Sequence, residues 1–503
     1  MRTLALVGLV LAALVSRTAA VTFSAVEPFS EKGAYNLIIV PEPWNGGFIV
    51  YAHGYTADQR TIVPYPADIT PANIASKLKG ADQVLQIPLN FGYAVATTTY
   101  RSVGWAVADA VKDIENIRRH FIRRYGKPKH TFIWGHSEGG MVTEAVAELF
   151  PHTYDAALPF CAPGAGARRN FDGGFDLRAI YEYVCRGVPD AQFLCHVCSG
   201  GKARCLDDAD CPSGETCGAA ETAPPPEDGL TRECTDFLLG SPEHVVEQPK
   251  VNDFVARAVG ACFGGAAQSP EQAAREDLIL RGSGVPVTFL ATDLFFASVG
   301  LGELFYRRVG EHSPWGNMGV TYRPPALSQA ETDALNAGVP RAKEQVPGVK
   351  YLRRFYEPRG RTDAKVLTLH ALDDGLVVIE NEEKYREAFV AAGHPDQLVQ
   401  LYTPTGGHCG FSAAEHVAVF LALTAWAEQG TVPTVAGIQA NCSTVAAVVG
   451  GPCEIMDATP GEWASRVVER RQKGAPVRSL VCGGDPGDCP DGSTCSTDTH
   501  HCR

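Results

Sequence analysis

The chain has 503 residues, a formal charge of −13, 45% apolar side chains and 16 cysteines. Single hydrophobic cores seldom grow past roughly 250 to 300 residues, so this length fits one large domain with a substantial insertion and a small tail. Its acidic residues are scattered and no basic patch is present to neutralise phosphates, which argues against nucleic acid as a partner.

Residues 1–20 begin with Arg2, continue through an apolar stretch from Leu4 to Val15 and close on Ser16-Arg17-Thr18-Ala19-Ala20. A charged start, a short apolar centre and small residues at the end describe a secretory signal peptide, with cleavage expected after Ala20. No other stretch is long and apolar enough to span a bilayer, so no membrane span is expected after cleavage. The mature chain is expected to be secreted, whether extracellular, periplasmic or at the cell surface, and its cysteines are expected to pair as disulfides.

Strand patterns over residues 36–40, 47–52, 93–100, 131–134 and 156–161 alternate with helical ones, and later strands are expected at 365–372 and 399–402. This rhythm predicts an α/β fold with a mostly parallel sheet covered by helices on both faces. One helix has Val107, Val111, Ile114, Ile117 and Phe121 on its apolar side, and Arg118, Arg119, Arg123 and Arg124 read as its wet face.

Gly135-His136-Ser137-Glu138-Gly139 falls directly between the apolar run 131–134 and a helical run from Gly140. A strand, a sharp Gly-x-Ser-x-Gly turn and a helix hold a serine hydroxyl out above the sheet and aim the helix N–H groups at the same point. Ser137 is therefore the candidate nucleophile. His136 and His53 read as packing or loop-ordering residues.

From about Gly164 to Asp363 the strand and helix alternation is lost. Cys185, Cys195, Cys198, Cys205, Cys211, Cys217 and Cys234 crowd this region, which also carries the aromatic residues Tyr181, Tyr183, Phe295, Phe296, Phe305, Tyr306, Trp315 and Tyr322. These aromatics read mainly as the region's own core, with pocket lining as the alternative. Cys195-His196-Val197-Cys198 has zinc-ligand spacing, but in a cysteine-dense exported segment cystines are the expectation, and no metal is expected. Asp207, Asp208, Asp210, Asp485 and Asp488 show no complete calcium loop and read as a solvated face.

Past the strand at 365–372, Asp373 and Asp374 stand where such a sheet presents a carboxylate. Past the strand at 399–402, His408 sits in the glycine-bracketed loop 405–411, ahead of an amphipathic helix expected from about Ala413 to Trp426. A nucleophilic serine needs a base, and the base needs an orienting acid. His408 is the candidate base and one of Asp373 and Asp374 the candidate acid; His370, inside the strand pattern, reads as a core histidine. Gly430-Thr431-Val432-Pro433 reads as a linker, and Asn441-Cys442-Ser443 matches a glycosylation acceptor. The segment Cys205 to Cys217 lines up with Cys482 to Cys495 through a shared Asp-Cys-Pro-x-Gly-x-x-Cys core.

At Ser137, Asp374 and His408, in that order along the chain, the sequence resembles the α/β-hydrolase superfamily, over roughly residues 34 to 165 and 360 to 430. Within it, the run from Trp134 to Gly166 and the stretch around His408 are most similar to secreted bacterial prolyl-oligopeptidase-like and esterase members. The two cysteine units are similar in spacing to Dickkopf-type modules. The resemblance implies an α/β-hydrolase fold whose core is residues 21–165 and 363–430, interrupted by a cap over 166–362 with a cysteine-rich segment at 185–234. A tail over 431–503 with the module 482–502 would follow. It also implies an oxyanion hole from the Glu138 N–H and from Tyr55, in His53-Gly54-Tyr55 after the strand 47–52. The implied activity is ester hydrolysis through an acyl-enzyme, on a small-molecule or polymeric ester, with no cofactor. Cleavage of short peptides is the alternative, and an inactive surface-binding scaffold a third reading. The oligomeric state is left open.

Overall fold

A computed structural model describes residues 21–460 other than 57–61, 63, 67, 79–83, 192–195, 201–203, 206–207, 221–247, 266, 311 and 319. The expected signal peptide, the module 482–502, and Cys195, Cys234 and Asp207 lie outside the described residues. Contacts divide the chain into two units. One runs through Thr56, resumes as far as Gly166 and returns over Tyr356–Pro460; the other is chiefly Ala167–Phe355.

The first unit is built on strands β1 (Thr22–Glu31), β2 (Ala34–Glu42), β3 (Gly47–Ala52), β4 (Ala94–Thr98), β5 (His130–His136) and β6 (Ala156–Phe160). Three short strands of the second unit come next in the chain, β7 (His196–Cys198), β8 (Arg204–Cys205) and β9 (Cys217–Ala220), before β10 (Lys365–Ala371) and β11 (Leu398–Thr403) complete the large sheet. Its order is β1-β2-β4-β3-β5-β6-β10-β11. β2 pairs antiparallel with both β1 and β4, while every pair from β4 to β11 is parallel, so β2 alone runs against the other seven. Eight strands in this order with the second reversed are the α/β-hydrolase fold.

The central strands β3 and β4 are buried at every residue, as strands covered on both faces must be. Ile49, Tyr51, Phe132, Trp134, Leu367 and Leu401 form the core of one face with Phe420, Leu423 and Trp426. β1 has no counterpart in the sequence expectations. Pro28 lies within it, and an edge strand tolerates a proline that an inner strand would not. Its hairpin to β2 turns on Lys32 and Gly33, both at positive φ (53° and 89°), which suits the twist of the two strands. On the helix Val107–Tyr125 the expected wet face is only partly wet. Arg119, Arg123 and Arg124 face solvent, but Arg118 turns inward to Glu115 at 2.9 Å.

The helix after His408 is Ala413–Gln429, and it is buried nearly all round instead of amphipathic. The reason is a further helix, Val435–Val449, packed against it through Ile438, Cys442 and Val445. The Cys442–Cys453 disulfide and paired backbone hydrogen bonds between Tyr402 and Met456 anchor the chain beyond it. Residues after the expected linker thus continue the first unit. Where the insertion leaves that unit, a Cβ on Gly166 would lie 3.0 Å from the side chain of Glu357, so the two ends of the interruption adjoin.

In the second unit the helix Ala167–Val184 carries the buried Arg178, which pairs with Glu182 at 3.1 Å and donates to Ser298 Oγ at 2.7 Å. The disulfide Cys185–Cys262 joins the end of this helix to the helix Gln248–Phe263. Tyr181, Trp315 and Tyr322 are in this unit's own core, where the Tyr181 hydroxyl donates to Ala191 O at 2.6 Å and that of Tyr322 to Asp176 Oδ1 at 2.9 Å. Strands β8, β7 and β9 form a small sheet pinned by Cys198–Cys211 and Cys205–Cys217. Five disulfides among the described residues point to an oxidising compartment.

Candidate active site

β5 ends at His136, and the helix Glu138–Leu149 begins one residue after Ser137. Between them Ser137 takes φ 57° and ψ −124°, a conformation that costs a non-glycine residue of order 1–3 kcal/mol and persists only where its surroundings enforce it. The enforcement is steric. A Cβ on Gly135 would sit 2.1 Å from Gly139 O, and one on Gly139 would sit 2.1 Å from Ala52 O. The Ser137 N–H donates to Phe160 O at 3.0 Å, tying the turn to β6.

The structure brings Ser137, His408 and Asp374 together. Ser137 Oγ is 2.8 Å from His408 Nε2, and His408 Nδ1 is 2.8 Å from Asp374 Oδ2. Asp374 is buried and its other oxygen, Oδ1, accepts from the N–H groups of Leu376 (3.0 Å) and Val377 (2.9 Å). Burial would raise its carboxyl, but hydrogen bonds from His370 and His408 outweigh that and hold it below the usual carboxylate range. Asp373 faces elsewhere: its Oδ1 accepts the Gly407 N–H at 2.8 Å and so braces the loop that carries His408. The far side of that loop is fixed by a disulfide from Cys409 to Cys161, which follows β6.

The loop after β3 passes directly against the serine. A Cβ on Gly54 would lie 3.3 Å from Ser137 Cβ and 3.9 Å from its Oγ. His53 orders this loop by stacking on Tyr100 with ring centroids 4.0 Å apart, and the Tyr100 hydroxyl donates to His53 O at 3.0 Å. Tyr55 is the next residue after Gly54. Glu138 opens the helix after Ser137, where first-turn N–H groups point past the N-terminus, and its buried carboxylate accepts from Ala106 N at 2.5 Å.

A cavity of about 830 Å³ opens among the residues that flank Ser137 and His408. Gly54, Tyr55, His136 and Cys409 line it on that side, and Ile87, Phe91, Phe411 and Val417 supply apolar wall. His416, which sequence reasoning did not single out, lies in this wall. Its Nδ1 donates to Ser412 O at 2.8 Å, which leaves Nε2 to accept from His136 Nε2–H at 3.0 Å; His136 Nδ1 then accepts from the Tyr51 hydroxyl at 3.2 Å. Burial lowers both imidazoles, so the pair is held neutral. No spacing rule links His416 to Ser137 across the sequence; only its place one turn into the helix after His408 hinted at it. In the second unit the sulfurs of Cys198, Cys205 and Cys211 lie within 4.8 Å of one another, and all three are in disulfides.

No protein-family model matches the sequence, and no curated protein matches it. Among solved structures the chain is similar to an esterase from Aspergillus oryzae (12% identity, 81% of this chain and 80% of that one covered, TM-score 0.41). It is also similar to feruloyl esterase B from Aspergillus oryzae (11%, 84% and 90%, TM-score 0.38). A third similarity is to the Pyrococcus horikoshii acylaminoacyl peptidase (10%, 82% and 43%, TM-score 0.35).

Proposed function

We propose that the chain is an exported serine hydrolase that cleaves carboxylic esters. The observation that carries this reading is the continuous hydrogen-bonded chain from Ser137 Oγ through His408 to the buried Asp374, beginning at a serine forced into a positive-φ turn at a helix N-terminus. In the proposed mechanism His408 Nε2 takes the Ser137 proton as the oxygen attacks the ester carbonyl. Asp374 holds Nδ1–H and stabilises the imidazolium. The backbone N–H groups of Glu138 and Tyr55 receive the oxyanion, each lowering the barrier by about 3 to 4 kcal/mol. His408 returns the proton to the leaving alcohol, and water then releases the acid by the same path.

The apolar wall of the cavity supports an ester with a hydrophobic acyl or alcohol part. Among the described residues its lining is formed chiefly by aromatic and aliphatic side chains with the imidazoles of His53, His136 and His416. Residues 1–20 and the disulfides support export.

The test is hydrolysis of p-nitrophenyl esters of increasing acyl length beside aminoacyl- and prolyl-p-nitroanilides, by the wild type and Ser137→Ala. Ester turnover lost in the variant is the expected result. Ser137-dependent turnover of anilides alone would make the chain a peptidase, and no Ser137-dependent turnover of either would sink the hydrolase reading.

A further inference from the structure

Behind Asp374 the side-chain chain does not stop. His370, wholly buried on β10, lies with Nε2 2.7 Å from Val377 O and 3.4 Å from Asp374 Oδ2, and with Nδ1 3.1 Å from Glu382 Oε1. Glu382, on the helix Glu380–Ala392, is itself buried, and its Oε2 accepts from Thr368 Oγ1 at 2.8 Å and Gln400 Nε2 at 2.5 Å.

These contacts fix the protons. A backbone carbonyl can only accept, so His370 Nε2 carries a hydrogen. Glu382 Oε2 is occupied by two donors, so one further proton is shared between His370 Nδ1 and Glu382 Oε1. The Asp374 carboxylate on the opposite side of the ring stabilises positive charge on the imidazole, which places that proton on nitrogen. We propose that His370 is a positioning residue of the site: it stands behind Asp374 as a doubly protonated imidazolium braced by Glu382, and it orients and electrically tunes the acid that serves His408. The proposal rests on the serine hydrolase reading for its consequence in catalysis.

The surroundings fit. Burial would lower the His370 imidazole, but its hydrogen bonds to Asp374 and Glu382 outweigh this and raise it above the ordinary histidine range. Glu144, from the helix after Ser137, is pushed well up by burial and then by Glu382 and Glu148, so it faces this cluster as a neutral carboxyl. Tyr385 and Tyr402, the latter opposite His370 in the β10–β11 register, are raised by burial and stay neutral phenols. The charged groups around the ring are then Asp374 and Glu382. When His408 takes the serine proton, the signs alternate from Glu382 through His370 and Asp374 to His408, which confines the new charge between like-spaced opposite ones.

Removing the cation makes Asp374 a stronger partner for protonated His408, which then keeps its proton to higher pH. In His370→Gln the acidic limb of the reaction should therefore move up by about one pH unit, with turnover at pH 7 lowered about ten- to hundredfold and KM little changed. In Glu382→Gln, which removes the imidazolium's counter-charge and lets the ring become neutral, the limb should move the same way by less. The measurement is the pH dependence of Ser137 phosphonylation by a fluorophosphonate probe and of p-nitrophenyl ester hydrolysis. Alongside it, nitrogen-15 spectra of the histidine side chains of the wild type should show both ring N–H groups on His370. An unmoved limb in a variant with wild-type unfolding behaviour overturns the proposal, as does a His370 ring with one bare nitrogen. Failure of the wild type to be labelled at Ser137 would sink the hydrolase reading alone, because the ring spectrum still reads the charge on His370.

Discussion

Cys409, the residue that follows His408, is bonded through sulfur to Cys161, the first residue past β6, with their Cα atoms 5.5 Å apart. The imidazole is thereby tied to the strand that also receives the Ser137 N–H, so serine and histidine share one anchor.

Breaking that anchor should be felt first in turnover. The bond closes a loop between positions 248 residues apart, for which chain entropy gives about 5.5 kcal/mol of stabilisation. A Cys161→Ala/Cys409→Ala double variant should melt at lower temperature and lose kcat more than it gains KM, as His408 samples positions away from Ser137. Unchanged kcat in a folded double variant would show that Asp373 alone positions the loop.

The two neighbouring aspartates should behave differently. Asp374→Asn replaces the acceptor of His408 Nδ1–H and should lower kcat by about 10⁴. Asp373→Asn keeps an oxygen for the Gly407 N–H and should stay within about tenfold of the wild type. Steady-state kinetics of the two variants side by side decides the assignment; similar losses would contradict it.

The turn around Ser137 should tolerate no added carbon. Gly139→Ala would drive a methyl group into the Ala52 carbonyl, at a cost of more than about 3 kcal/mol. Gly174, in the helix Ala167–Val184, has open space at its Cβ position, so Gly174→Ala should be neutral or stabilising by up to about 1 kcal/mol. Urea unfolding of both variants checks the contrast.

Glu144 gives the protein a pH dependence of known sign. Burial raises its carboxyl in the folded state above the ordinary value near about 4.3, so the unfolded chain loses this proton first as pH rises. The stability this carboxyl supplies is complete below the unfolded value and is lost as pH climbs toward the folded one. Glu144→Gln should remove that decline, so urea midpoints measured from pH 4 upward should flatten relative to the wild type. A decline of equal size in the variant would assign it to another group.

Much of the site could be read in the sequence because it is local: Ser137 announces itself by a strand, two glycines and a helix within twenty residues. His408 and Asp374 were readable from their places past strand ends, but the choice between Asp373 and Asp374 depends on which carboxylate turns inward, and adjacent residues give no local sign of that. β1 was missed because Pro28 breaks the usual strand pattern and only its edge position excuses it. The partner of Cys409 was hidden among 16 cysteines. The helix Val435–Val449 was hidden because its apolar spacing, read without the helix it covers, looks like an ordinary tail. His370 was read as a core residue, which it is; what the sequence could not show is that Glu382 and Asp374 stand on either side of it.

The ends of the interruption at Gly166 and Glu357 adjoin, although the chain between them is longer than many whole domains. A gap that closes on itself makes the intervening segment exchangeable in descent. A replacement for it would need only to rejoin two neighbouring ends, and the Ser137 turn, the Asp374 bend and the His408 loop all lie outside the exchanged stretch.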